Sequence, residues 1–324
     1  MEKILFDKEK LTPAVKALGQ YERGEKIKSV IPLGGGGFGL TYRLAYADGT
    51  TEIIKVFKTS GMLQSESEAL RLLRQASPLK VPEVYYTREA DEKFPLDAMA
   101  MEHIDGICAK DLPLFLSAKK RAHIAGTIAD ALAEIHKTTA GKYGYIGKTE
   151  RFGTWREFYQ NILTDTYTRF KIFCKQNENG LNGKITALPE AGIQNLGYIL
   201  ADEPENPCLV HGDLWIGNIM ADKKTCEPSG ILDPLNSMWG DGEFDLFPLN
   251  APQRKNFKLY ETYKEKFAAS ERVDLKTALY YLANEVLCRL QSGGWSRGGG
   301  NAFYRTLIKR LETQYKKHNI KFSN

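Results

Sequence analysis

The segment Leu209–Met220 constrains this chain more than any other. It sets a carboxylate, Asp213, five positions before a side-chain amide, Asn218, and Asp233-Pro234 comes fifteen positions after that amide. Ile219-Met220 and Ile231-Leu232 read as two short strands around a polar turn, a hairpin that returns Asp233 beside Asn218. Such a set suits one task. A carboxylate orients an attacking hydroxyl and accepts its proton. An amide oxygen and a second carboxylate hold magnesium, which takes oxygen ligands and fills its other positions with phosphate oxygens and water. Singly, each residue has a plainer explanation: His211-Gly212-Asp213 as a turn, Asn218 as a helix cap, Asp233 before Pro234 as turn chemistry. Order and spacing together favour the site. His211 is expected to hydrogen-bond backbone and brace the loop, not to act as a base.

Upstream, Gly34-Gly35-Gly36-Gly37-Phe38-Gly39 satisfies G-x-G-x-x-G. The pattern alone has two readings. In a dinucleotide-binding fold it opens a helix. Here Leu40–Tyr46 alternates as a strand does and runs into Ala47-Asp48-Gly49, a turn. The glycines are therefore expected in a strand–loop–strand hairpin whose backbone amides approach phosphates, with Gly34, Gly36, Phe38 and Gly39 in contact. Lys55 comes next, inside the apolar strand Thr51–Phe57, and a lysine there needs an anionic partner. The next helix offers Glu66 and Glu68. Glu68 is the first choice, since Glu68–Leu73 reads as the start of the apolar face, and Glu66 is the second.

The rest of the chain supports two parts. At 324 residues it exceeds what one small core organises. Residues 1–102 read as a sheet with one helix, and 103–324 as mostly helical. Apolar stripes recur at helical spacing, as in Ile124, Ile128, Leu132 and Ile135, and in Leu275, Leu279, Leu282 and Val286. Only 209–234 is expected to interrupt the helical part. Charge is uneven: residues 251–324 carry 15 Lys and Arg against 6 Asp and Glu, within a formal net charge of +5. Five cysteines without CxxC spacing fit a reducing compartment, and the cytoplasm is the expected location. No run approaches the ~18–20 apolar residues of a membrane span. Neither a membrane nor a nucleic acid is expected as a partner. The oligomeric state is open.

Through these motifs the chain resembles the aminoglycoside phosphotransferase and fructosamine kinase superfamily of protein-kinase-like small-molecule kinases, from about residue 30 to 250. Met101–Gly106 resembles the family's hinge, which implies that the backbone at Glu102 and Ile104 pairs with adenine. Gly240–Leu246 is also similar, and implies that Asp245 bonds to the catalytic loop. Trp215 and Asp233-Pro234 resemble the fructosamine kinase branch, as does the stretch 143–158 more loosely. The glycine loop looks more like a protein kinase's. The resemblance implies an α+β, protein-kinase-like two-lobed fold: a small antiparallel-sheet lobe with one helix, and a larger helical lobe. It implies ATP and Mg2+ as cofactors, and transfer of the γ-phosphoryl group to a hydroxyl of a small molecule, a ketosamine first. An aminoglycoside, a choline-like compound or an amino alcohol is the alternative acceptor, and a non-catalytic nucleotide-binding protein is a further one. Trp215, Trp239 and Trp295 are candidates to line the acceptor pocket, and the glycine-rich 291–300 could be a lid or a plain connector.

Overall fold

The computed structural model describes residues 7–176, 182–292 and 301–322. Helix α1 (Lys8–Arg23) comes first, then strands β1 (Ile27–Gly35), β2 (Gly39–Tyr46) and β3 (Thr51–Phe57), helix α2 (Met62–Ala76) and strands β4 (Val84–Arg88) and β5 (Ala98–Glu102). The five strands form one antiparallel sheet in the order β1-β2-β3-β5-β4. This part carries one helix more than the sequence predicts. Pro13 lies inside α1 and masks it. The caps were the available signal. Asp7 accepts from the amides of Glu9 and Lys10, and Gly24 closes the helix at φ +70°.

Beyond Glu102 come β6 (Ile107–Cys108), α3 (Ala118–Ile135), β7 (Gly144–Tyr145), α4 (Trp155–Gln176), α5 (Asn182–Gln194) and α6 (Leu196–Ile199). After them come β8 (Cys208–Val210), β9 (Ile219–Ala221), β10 (Pro228–Ile231), β11 (Met238–Gly240), α7 (Leu246–Leu249), α8 (Leu259–Lys266), α9 (Val273–Ser292) and α10 (Asn301–Lys317). The helical part is therefore interrupted more often than at 209–234, because β7 and β11 join β8 in a second small sheet. No helix among the described residues is long and apolar enough to cross a membrane.

Three apolar cores set the frame. One lies under α1 against the outer sheet face, with Val15, Leu44 and Ile54. A second spans both parts: Phe57, Leu63, Leu70 and Met99 meet Ile124, Ile128 and Leu132 of α3 and Ile219 and Ile231 of the β9–β10 hairpin. The third joins α4, α5, α9 and α10 around Trp155, whose indole N–H donates to Tyr280 Oη at 2.8 Å. Each fully buried large apolar side chain contributes about 1.5–3 kcal/mol. The second core therefore fixes the β9–β10 hairpin to the sheet that carries Lys55.

Candidate active site

The glycine run forms the tip of the β1–β2 hairpin, paired as far as Gly35 opposite Leu40. It does not open a helix. A Cβ on Gly39 would stand 2.7 Å from the Val56 carbonyl oxygen, so only glycine lets β2 lie this close to β3. Gly34 has φ +140°, nothing stands within 4 Å of the Cβ position at Gly36, and the Phe38 carbonyl accepts from Lys58 N–H at 2.9 Å.

Lys55 points from β3 into the cleft, and its Nζ donates to both carboxylate oxygens of Glu66, at 2.7 and 2.8 Å. Glu68 is not the partner. The buried stripe of α2 runs through Leu63, Glu66, Leu70 and Leu73, at steps of three and four, and Glu66 sits inside it. Two positions further on, about 200° around the helix, Glu68 is exposed. Lys55 Nζ also pairs with Asp233. Burial works against the lysine's charge, but the carboxylates of Asp233 and Glu66 outweigh it and raise its pKa above the ordinary value.

The β9–β10 hairpin brings the polar residues of 211–233 together. Leu232 N–H donates to the Asn218 carbonyl at 2.8 Å. The Asn218 amide N–H2 reaches the Asp213 carbonyl at 2.9 Å, Asp213 Oδ2 at 3.1 Å and the Asp233 carbonyl at 3.5 Å. Burial, then the charges of Asp233 and Glu285, push the Asp213 carboxyl well above the ordinary carboxylate range. The loop itself is held from below. Buried Asp245 accepts from the amides of His211 at 2.8 Å and Gly212 at 2.7 Å, and lies 3.1 Å from His136 Nε2. His211 Nδ1 accepts from the Asp213 amide at 3.2 Å, which leaves Nε2–H for the Leu232 carbonyl at 3.1 Å. Gly212 has φ +85°, and a Cβ there would come within 2.2 Å of the Leu235 carbonyl oxygen. Gly212→Ala is accordingly expected to cost about 2 kcal/mol or more, read from urea unfolding, and to displace Asp213.

Asn218 and Asp233 fit a magnesium ion by donor chemistry. With its nitrogen committed to Asp213 and Asp233, Asn218 keeps an amide oxygen for other partners, and the Asp233 side chain is half-exposed in the cleft. No group of three or more His, Cys, Asp or Glu is placed to hold a metal among the described residues. Two oxygen donors completed by phosphate and water suit magnesium better than an all-protein cage.

In the hinge-like stretch Met101–Gly106, the Glu102 amide donates to the Glu83 carbonyl at 2.8 Å, and the Glu102 carboxylate meets Arg74 and Lys80. Ile104 is buried, with its Cδ1 3.0 Å from where a Cβ on Gly230 would stand. Asp213 opens on a cavity of about 460 Å³ whose walls include Trp215, Tyr281, Glu285, Arg289 and Phe303. Trp215 is thus beside it. Trp239 lies in β11; like Trp215 it is partly buried against the core that spans both parts, but it is not among the residues lining this cavity. Trp295 is outside the described residues, as is 293–300 of the glycine-rich segment. Sequence reasoning missed Glu285 and Arg289. In sequence Asn284-Glu285 merely interrupts the apolar positions Leu282, Val286 and Leu287, as a solvated helix face would, so nothing local pointed to a site.

The family model described as Fructosamine kinase matches residues 12–292. The protein named probable ketoamine kinase in Pasteurella multocida (strain Pm70) is 25% identical over 243 residues, 71% of this chain and 75% of that one. Among solved structures, a protein described as a fructosamine-3-kinase from Thermobifida fusca aligns with a TM-score of 0.67 at 22% identity, covering 94% of this chain and 99% of that one. A thermostable mutant of aminoglycoside phosphotransferase APH(4)-Ia, in ternary complex with AMP-PNP and hygromycin B, aligns with a TM-score of 0.70 at 16% identity, over 94% and 99% of the two chains. These two likenesses establish the protein-kinase-like fold.

Proposed function

The chain belongs to the fructosamine kinase family, and on that premise we propose that it transfers the γ-phosphoryl group of ATP to a hydroxyl of a small sugar amine of the ketosamine type. One observation carries this: Asp213, Asn218, Asp233 and Lys55 converge in one cleft, and Asp213 also faces a cavity large enough for a sugar.

Lys55, held by Glu66, grips the phosphates from the sheet side, and the backbone of the glycine hairpin covers them. Adenine pairs with the backbone at Glu102 and Ile104. Asn218 and Asp233 hold magnesium, which supplies neutralising charge on the phosphates when bound. Asp213 orients the acceptor hydroxyl and takes its proton as the oxygen bonds to the γ-phosphorus. The bond from that phosphorus to the bridging oxygen breaks, and ADP leaves with its electron pair. The chain does little covalent work, because positioning and fixed charge dominate phosphoryl transfer. Asp245 and His211 act indirectly, by holding the loop that carries Asp213.

Glu285 supports an amine-bearing acceptor, since its carboxylate lines the same cavity as Asp213. The adjacent Arg289 and the basic 251–324 quarter weigh against a polycationic drug. An ATP-consumption assay across ketosamines, aminoglycosides and amino alcohols tests the reading. Turnover is expected with ketosamines, with the phosphorylated sugar amine found by mass spectrometry. Turnover confined to another class would replace the acceptor assigned here.

A further inference from the structure

Beyond the cavity at Asp213, the same walls open on a second one. Tyr281 and Phe303 line both, and the second, of about 450 Å³, lies between α10 and the chain at Asn250–Lys255. Its charged lining is entirely cationic: Lys255, Lys309 and Arg310. The neighbouring ion pairs join Lys264 to Asp274, Lys184 to Glu312 and Arg272 to Asp202, and leave these three cations out. Among the described residues no carboxylate lies within ion-pair distance of them; Glu261 and Asp274 act on Arg310 only from farther off.

Arg310 is the informative residue. Its guanidinium carbon lies 5.9 Å from the centroid of the Tyr260 ring. The Asn250 side chain, with its amide turned to accept, faces both terminal nitrogens. That neutral partner does not cancel the charge, and burial lowers the arginine's pKa. A half-buried cation without a counter-charge carries part of the cost of a fully buried one, and an anion beside it offsets that cost. A guanidinium also presents the planar fork that matches a carboxylate.

We propose that this second cavity is an anion subsite of the acceptor site. It takes a carboxylate carried by the acceptor, whose sugar hydroxyl sits at Asp213 while the carboxylate reaches past Tyr281 and Phe303 to Lys309 and Arg310. The acceptor is then the ketosamine of a free amino acid rather than of a simple amine. This rests on the ketosamine reading of the site. It also gives part of the basic C-terminal quarter a ligand.

The test is calorimetric titration of the full chain with an N-fructosyl amino acid and with the matching carboxamide; the ratio of the two Kd values is the readout. The wild-type chain is expected to prefer the carboxylate about tenfold. Arg310→Met, which keeps an apolar stem against Tyr260, reduces the preference to about twofold or less. Lys309→Ala, at an exposed position, reduces it about threefold and serves if Arg310→Met does not fold. Equal affinities in the wild-type chain, binding of neither compound, or an unaltered preference in the variants overturns the subsite. Titration with inorganic phosphate alone separates two sources of anion. Phosphate binding tighter than the N-fructosyl amino acid, and lost in Arg310→Met, makes this a free-anion site and overturns the acceptor-borne assignment. Turnover of the same pair is read separately. Carboxylate preference without phosphoryl transfer to either compound sinks the ketosamine kinase reading and leaves the subsite standing.

Discussion

Replacing Asp213 with alanine is expected to lower kcat by more than ~10²-fold while nucleotide binding survives, because the lost step is orientation and deprotonation of the acceptor. The geometry makes the two readouts separable. Asp213 meets Asn218 through its carbonyl at 2.9 Å and its carboxylate at 3.1 Å, so the alanine variant keeps the first contact and the Asn218 backbone link to Leu232. Removing the carboxylate also relieves the charge that Asp233 and Glu285 impose on it, so the fold is expected to be as stable as before or slightly more so. Asp213→Asn tests the same point at constant volume. ATP affinity by calorimetry, kcat by coupled assay and unfolding by urea decide the matter. Retained turnover would remove Asp213 from the role given to it, and lost ATP binding would make it structural.

The parts of the site that could be read from sequence are those built locally. Asp213, Asn218 and Asp233 are joined by one short hairpin, so spacing alone brings them together, and β9 and β10 place them as that spacing predicts. The glycine hairpin was legible for the same reason: the residues after Gly39 alternate, and Gly35 pairs across to Leu40. Helix phase was harder. Glu66 and Glu68 differ by two positions, and an apolar face traced from Glu68 to Leu73 leaves out Leu63, which sets the true stripe. Asp245 had no local signal. Its two bonds to the loop amides cross more than thirty residues, and only a family resemblance pointed to it. Glu285, Arg289 and Arg310 were illegible as site residues because tertiary packing of α9 and α10 alone brings them to cavities near Asp213 and Asn250. Trp239, also near the motif in sequence, pairs through β11 and packs against the core that spans both parts, and it is Trp215 that lines the cavity at Asp213.

The grip on the phosphates gives the second large effect, and it separates two glutamates. Glu66→Gln is expected to lower kcat/KM for ATP about 10²-fold, whereas Glu68→Gln stays within about twofold of the wild-type value. Lys55 and Glu66 are both buried, and breaking a buried pair by removing one charge typically costs ~3–5 kcal/mol. Here Asp233 also holds Lys55, so the lysine turns towards Asp233 and part of the cost is offset. That turn removes both residues from the tasks proposed for them, Asp233 on magnesium and Lys55 on phosphate. Lys55→Met is expected to weaken ATP use at least as much, yet to fold. Burial pushes the Glu66 carboxyl up to about 7 even with the lysine beside it. Without the lysine that carboxyl takes a proton rather than remain a bare buried charge. This sets the sign of the pH dependence. A carboxyl whose folded pKa lies above its unfolded value costs stability as pH rises from the ordinary 4.5 towards the folded value. Urea unfolding of Lys55→Met is therefore expected to show stability still declining above pH 7, where the contribution of this carboxyl levels off in the wild-type chain. A flat profile would mean that Glu66 finds another cation, and ATP kinetics unaltered in Lys55→Met would mean that a different residue grips the phosphates.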